Sequence, residues 1–196
     1  YAVVVYNDCK ITSNTLTCKL AGKKQAASSS TASASSSQAE SAVQTVTDVS
    51  YSGGKYTGQW ENGKPNGQGK FVESNGGVYE GSWENGLRNG QGTFTFSTGA
   101  KYEGNWKNGV RTGYGKLIYP DGNIYEGNWE NNKFNGHGKF TWSSGPVYEG
   151  NWINDKRSGQ GIMVYSNGSK YEGNWENNKQ NGQGTMTYSD GTIKSG

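Results

Sequence analysis

One histidine, two cysteines and three prolines occur in a chain of 196 residues, and these scarcities narrow the chemistry before any motif is read. With a single imidazole, His137, hydrolytic arrangements of nucleophile, base and orienting group have almost nothing to draw on. The two thiols, Cys9 and Cys18, lie nine residues apart, which is not a zinc-ligand spacing, and no histidine cluster completes a site. No apolar run approaches the roughly 18 residues of a membrane-spanning helix, and the mean hydropathy is −0.92. Charge of one sign is also lacking: Lys and Arg number 19 against 16 Asp and Glu, both signs are scattered, and no basic stripe is written for a phosphate backbone or an anionic membrane. A nucleic-acid partner is therefore not expected, and a pI near 8.7 does not restore one.

Aliphatic side chains are few as well, since hydrophobic residues of every kind make up 30% of the chain, so a thick aliphatic core is excluded. What the chain has instead is 32 glycines and 13% aromatics, a composition suited to a thin, turn-rich β structure. A 23-residue unit recurs six times without slippage, beginning at Tyr56, Tyr79, Tyr102, Tyr125, Tyr148 and Tyr171. Such a period marks an array of stacked units. Three regions follow: residues 1–20, β-prone and containing both cysteines; residues 21–50, a Ser/Ala/Thr-rich stretch read as a flexible linker; and residues 51–196, the array.

Within a unit, Tyr102-Glu103-Gly104-Asn105-Trp106 alternates as a strand, Lys107-Asn108-Gly109 signals a hairpin turn, and Gly113 to Tyr119 reads as the return strand before Pro120-Asp121-Gly122. Strand parity gathers the leading tyrosines on one face with Trp60, Trp83, Trp106, Trp129, Trp152 and Trp175. The same face takes Phe71, Phe94, Leu117, Phe140, Met163 and Met186, and further along Phe96, Tyr119, Trp142, Tyr165 and Tyr188, with Glu73 as the exception. Glu, Asn, Ser, Thr and Lys fill the opposite face. Glycines such as Gly104 and Gly115 sit on the aromatic side, where a missing side chain lets rings lie over the backbone. They are packing devices, because no strand, glycine-rich turn and helix with Lys-Ser/Thr exists to cradle phosphate. The turns that follow each Trp, from Asn62-Gly63 to Asn177-Asn178, hold residues that accept positive φ.

The run Y-E-G-N-W-x-N-x4-G-x-G, present at Tyr102, Tyr125, Tyr148 and Tyr171 and varied slightly at Tyr56 and Tyr79, resembles the MORN repeat (membrane occupation and recognition nexus). The resemblance implies an all-β fold, an elongated single-layer antiparallel sheet of six successive hairpins, as in junctophilins and scaffold proteins of protist cytoskeletons. It implies binding and scaffolding roles, including phospholipid contact and self-association, and it does not imply catalysis; no cofactor is expected. Residues 1–50 lie outside it.

The remaining candidates read as follows. His137 occupies a slot held elsewhere by Gln68, Gln91, Tyr114, Gln160 and Gln183, which suggests a solvent-facing spacer. The ladder Glu80, Glu103, Glu126, Glu149 and Glu172 repeats every two strands, about 9–10 Å, too far for neighbours to chelate one ion. Cys9 and Cys18 are read as a disulfide stapling a short N-terminal hairpin, worth roughly 2–3 kcal/mol, with two free thiols as the alternative. That pair, the Ser/Thr/Ala stretch and an opening Tyr1 without methionine suggest a secreted or cell-surface protein; a cytoplasmic membrane-associated scaffold is the alternative.

The expected function is non-catalytic self-assembly. Tyr1, Val3, Val4, Val5 and Tyr6 form a strand without an evident partner, and Thr192, Ile193 and Lys194 begin a seventh unit with Lys194 where Tyr would stand, so strand addition would join copies into filaments. The strand could instead cap its own array. Another protein is a possible partner, and membrane lipid is possible but not favoured. A second class, a binding module for carbohydrate, peptide or lipid headgroup on the aromatic face, competes with the simpler reading that the rings pack on one another as the core.

Overall fold

The computed structural model describes residues 6–12, 15–20 and 43–196. All of the regular structure among them is β. Tyr6–Thr12 (β1) and Thr15–Leu20 (β2) form a two-stranded antiparallel sheet of their own, within a unit separate from the array. The second sheet has 14 strands in strict sequence order. It opens with Gln44–Tyr51 (β3), Gly54–Glu61 (β4), Lys64–Glu73 (β5), Val78–Glu84 (β6) and Leu87–Thr95 (β7). Lys101–Lys107 (β8), Val110–Ile118 (β9), Ile124–Glu130 (β10) and Lys133–Thr141 (β11) form its middle. Val147–Ile153 (β12), Lys156–Val164 (β13), Lys170–Glu176 (β14), Lys179–Thr187 (β15) and the short Ile193–Ser195 (β16) complete it.

Two kinds of turn alternate. After each Trp-bearing strand, a two-residue loop reverses the chain, with both residues at positive φ: Asn108 at 50° and Gly109 at 83°, or Asn131 at 50° and Asn132 at 68°. This is the backbone that right-twisted hairpins favour. The return turns are wider and close on paired backbone bonds, as where Tyr119 N donates to Asn123 O and Gly122 N to Tyr119 O. In both, the turn residues named from sequence stand where the chain reverses.

One glycine from every strand between β4 and β15 lines up in register: Gly58, Gly69, Gly81, Gly92, Gly104, Gly115, Gly127, Gly138, Gly150, Gly161, Gly173 and Gly184. The tyrosine of each unit lies across this bare row. A Cβ built on Gly115 would collide with the Tyr102 ring and one on Gly138 with the Tyr125 ring, so the row must stay free of side chains. The spine turns a single-layer sheet into a structure with a core: Tyr56, Tyr79, Tyr102, Tyr125 and Tyr148 are fully buried, and Trp129 is 3% exposed.

Two boundaries differ from the sequence reading. The linker read over residues 21–50 does not run to Ser50, because Gln44–Tyr51 is already a strand, and the sheet starts seven residues before the repeat period announces it. β3 is the second half of a degenerate unit: Val49 stands opposite Tyr56 as Leu117 stands opposite Tyr125, and Tyr51 packs edge-on against Trp60 at 5.5 Å. Val46 takes a glycine position, opposite Gly58, at a place where the repeat supplies no preceding tyrosine to cover it. The hydrophobic signal was diluted by Thr45, Thr47, Asp48 and Ser50. Of the N-terminal strand read from sequence, Tyr6 alone is described, and it stands opposite Leu20 within the β1–β2 hairpin; Tyr1, Val3, Val4 and Val5 lie outside the described residues.

Candidate interaction surface

The aromatic layer closes its own hydrogen bonds. Tyr102 OH donates to Asn105 O at 3.0 Å and Tyr125 OH to Asn128 O at 2.8 Å, in a pattern that runs through the units. Trp106 Nε1 donates to Gly92 O at 3.2 Å, Trp129 Nε1 to Gly115 O at 3.1 Å and Trp152 Nε1 to Gly138 O at 3.0 Å. Trp83, Trp106, Trp129, Trp152 and Trp175 each bond back in this way to the preceding unit's glycine row while the ring meets two tyrosines edge-on, as Trp129 does with Tyr102 at 5.0 Å and Tyr125 at 5.3 Å. Edge-to-face packing at these separations is the favoured aromatic geometry. Burial pushes the hydroxyls of Tyr56, Tyr79, Tyr102 and Tyr148 up to about 12, and that of Tyr125 upward as well. These rings, with Trp83, Trp175 and Tyr171, are the core, with Trp60 partly buried against it, and an open ligand platform is not what they form.

What remains accessible on that side is a shelf that the sequence reading missed. The only arginines of the chain, Arg88, Arg111 and Arg157, all occupy one unit position, directly opposite a tryptophan across the hairpin. Their guanidinium groups lie over aromatic rings: Arg111 is 4.5 Å from the Trp129 ring centre, Arg157 4.5 Å from Trp175, and Arg88 4.6 Å from Phe94. Arg88 also pairs with Glu73 at 2.6 Å, so Glu73, which looked like a defect in the aromatic pattern, is the counter-ion of the next unit's arginine. Arg111 donates through Nη2 to Asn132 O at 3.0 Å, and Arg157 through Nη2 to Asn178 O at 2.8 Å. Burial lowers both arginines from their ordinary values, opposed by neighbouring tyrosines. Phe134 fills the same position in the fourth unit, stacked on Tyr125 at 3.6 Å. The signal was present: a two-residue turn at Asn108-Gly109 puts Arg111 opposite Trp106 by counting, but the return strand was started three residues late, at Gly113, where a bulge interrupts the pairing.

Turn residues join successive units. Arg111 N donates to Asn132 Oδ1 at 2.9 Å, Phe134 N to Asp155 Oδ1 at 2.8 Å and Arg157 N to Asn178 Oδ1 at 2.9 Å. Where earlier units carry glycine in that turn, these three carry an acceptor.

The opposite face is solvated. Glu80 pairs with Lys70 at 2.7 Å and Glu172 with Lys170 at 3.0 Å, with all four side chains about half exposed, a setting in which ion pairs contribute little. His137 is exposed beside Glu149, as a spacer would be. Among the described residues no group of three or more His, Cys, Asp or Glu is placed to hold a metal ion. At the sheet's last strand, Ile193 and Lys194 are exposed; Lys194 stands opposite Met186 where the other units place tyrosine, its Nζ 5.5 Å from the Tyr188 ring centre, and Thr192 belongs to the preceding turn. Cys9 and Cys18 are register partners in the β1–β2 hairpin.

The MORN repeat pattern matches six successive segments, residues 56–78, 79–101, 102–124, 125–147, 148–170 and 171–193. This chain belongs to the MORN-repeat family. Its array is that of an interaction scaffold. Comparison with curated proteins gave no match. Matching solved structures include the SAS-4 (dCPAP) TCP domain of Drosophila melanogaster in complex with a proline-rich motif of Ana2 (dSTIL), at 12% identity over 85% of this chain and 96% of that one, with a TM-score of 0.42. The TCP10 domain of Danio rerio CPAP in complex with a STIL peptide matches at 15% identity over 80% and 83%, with a TM-score of 0.32. Neither likeness bears on what this MORN array binds.

Proposed function

We propose that this chain is a non-catalytic interaction scaffold that joins copies of itself by strand addition. The observation that carries the reading is the open sheet: β3 pairs with β4 along one side, and no strand among the described residues pairs along its other. Unpaired N–H and C=O groups along an edge are a template for another chain. The donor is the β1–β2 hairpin, whose strands pair only with each other among the described residues and so each keep one side free. A bulge between Val46 and Val49, with Asp48 at φ 52°, divides the β3 edge into two short runs and so favours a short donor such as β2. β16 offers a second exposed run at Ile193, and contact between the hairpin of one copy and an edge of the next, being heterologous, grows towards filaments. The lone cysteine pair and the Ser/Thr/Ala stretch fit a secreted or surface-exposed protein.

Light scattering over a concentration series tests this. The intact chain is expected to gain mass with concentration, and the chain lacking residues 1–20 to stay monomeric and folded. Unchanged assembly after that deletion would refute the hairpin as connector.

A second reading rests on the arginine shelf: a partner protein presenting acidic side chains would find three guanidinium groups held over rings at one repeat position. Membrane phospholipid is the weaker form of this reading, because Glu73 and the mixed charges of the polar face offset the arginines.

A further inference from the structure

We infer that Cys9 and Cys18 are joined by a disulfide that closes β1 on β2, an inference independent of self-association. The argument rests on register. Thr12 and Thr15 are the first opposed pair, with two residues between them, followed by Ile11 opposite Leu16, Lys10 opposite Thr17 and Cys9 opposite Cys18. In a two-residue hairpin the pair flanking the turn exchanges hydrogen bonds, and bonded and non-bonded pairs alternate beyond it. Thr12–Thr15 and Lys10–Thr17 are then bonded pairs, and Ile11–Leu16 and Cys9–Cys18 non-bonded ones. At a non-bonded pair the Cα atoms lie about 4.5 Å apart, within the roughly 4.4–6.8 Å that a disulfide spans.

Two further observations agree. These are the only cysteines of the chain, and a slip of one residue in either strand would separate them. The register shifts between Tyr6 and Cys9, which places a bulge beside the pair and gives β1 local freedom to meet the bond's torsional demands. The hairpin also has most to gain: it is a two-stranded sheet of its own, an element marginal in water alone. Closing a loop of about ten residues restricts the open chain roughly a hundredfold.

The chemistry is thiol–disulfide exchange with a small-molecule disulfide such as glutathione disulfide. One cysteine thiolate attacks the oxidant, forming a mixed disulfide and releasing one glutathione thiolate. The other cysteine's thiolate then attacks the protein sulfur of that mixed disulfide and expels the second. Two electrons pass to the oxidant, and the two thiol protons pass to solvent or to the released thiolates.

The test equilibrates the full chain in glutathione buffers of graded ratio, blocks free thiols with iodoacetamide and weighs the intact protein. An unalkylated monomer lighter by its two thiol hydrogens is expected in oxidising buffer, and a doubly alkylated one after reduction. By reciprocity of coupling, Thr17→Pro, which deletes the hydrogen-bonded neighbour of the pair, is expected to weaken disulfide formation about a hundredfold. Full alkylation in oxidising buffer, cross-linking only between chains, or an equilibrium unmoved by Thr17→Pro would each overturn the inference.

Discussion

Replacing Trp129 by alanine removes the most buried of the seven tryptophans, and the structure fixes what is lost. The ring is 3% exposed and meets Tyr102 at 5.0 Å, Tyr125 at 5.3 Å and Phe134 at 4.7 Å, while the Arg111 guanidinium lies 4.5 Å from its centre. Its Nε1 is the donor to Gly115 O that ties the fourth unit to the third. Truncation of a buried tryptophan costs about 3–5 kcal/mol. In a one-layer sheet the vacated volume opens to water rather than remaining an enclosed void, which places the cost near the lower end, about 3 kcal/mol. For a cooperative unit of this size, that corresponds to a fall of about 6–12 °C in Tm. Calorimetry on the parent and Trp129→Ala measures it, with Trp129→Phe as control: the ring stays, the N–H is lost, and about 1–2 kcal/mol is expected. A Trp129→Ala protein melting within about 1 °C of the parent would refute the claim that these rings are the core and return the face to a ligand.

Other consequences are as direct. Gly138→Ala forces a methyl group into the fully buried Tyr125 ring and should cost about 1–3 kcal/mol by chemical denaturation, whereas an exposed turn glycine such as Gly168, with open space around it, should lose only about 1 kcal/mol for its positive φ. Asp155→Gly removes the acceptor for Phe134 N while easing a φ of 66°, so a net loss near 1 kcal/mol is expected from the denaturation midpoint. Tyrosines with folded-state values of about 12, against 10 unfolded, keep their protons longer in the native state. Stability is then whole below pH 10 and falls as pH rises from 10 towards 12, with these buried rings ionising only together with loss of structure; ionisation of Tyr79 or Tyr102, followed residue by residue by NMR, in a protein still folded at pH 10.5 would contradict that burial. Vesicle flotation should be weak, with little gain from acidic lipid, and tight salt-sensitive binding would favour the membrane reading.

The repeat was legible because each constraint is written as one residue type at one spacing. A loop that needs two positive φ values is spelled Asn-Gly, Asn-Asn or Asn-Asp, and a backbone that must lie under a ring is spelled Gly. Relations between units were harder to read. Arg111 meets Asn132 and Trp129 of the next unit, and Glu73 meets Arg88 of the next, so neither role is visible within a single 23-residue period. The start of the sheet was hidden for another reason. Val46 replaces a glycine and Val49 an aromatic or long apolar residue, so β3 keeps the architecture of a unit while losing its letters.

That loss follows from position in the stack. Glycine is required in the row because the tyrosine of the same hairpin lies on it, so β3, which among the described residues pairs with no tyrosine-bearing strand on its outer side, is released from the requirement and can carry Val46. At the other end of the sheet Lys194 takes a tyrosine position and holds its ammonium over Tyr188 instead of burying a ring. Inside the array the hydroxyls of the six unit-leading tyrosines, Tyr56, Tyr79, Tyr102, Tyr125, Tyr148 and Tyr171, and the indole N–H groups of Trp83, Trp106, Trp129, Trp152 and Trp175 are bonded to the protein's own backbone, which leaves these core rings no unmet polar group with which to select a partner. Recognition must therefore come from features that stacking does not consume: the outer backbone of an edge strand, whose N–H and C=O groups still seek partners, and the arginine shelf, whose charge persists after its apolar surface is packed. The two differ in what they select, since an edge accepts any strand of suitable length and the shelf demands negative charge, so the salt dependence of partner binding separates them: edge pairing should resist salt and shelf binding should weaken steeply with it.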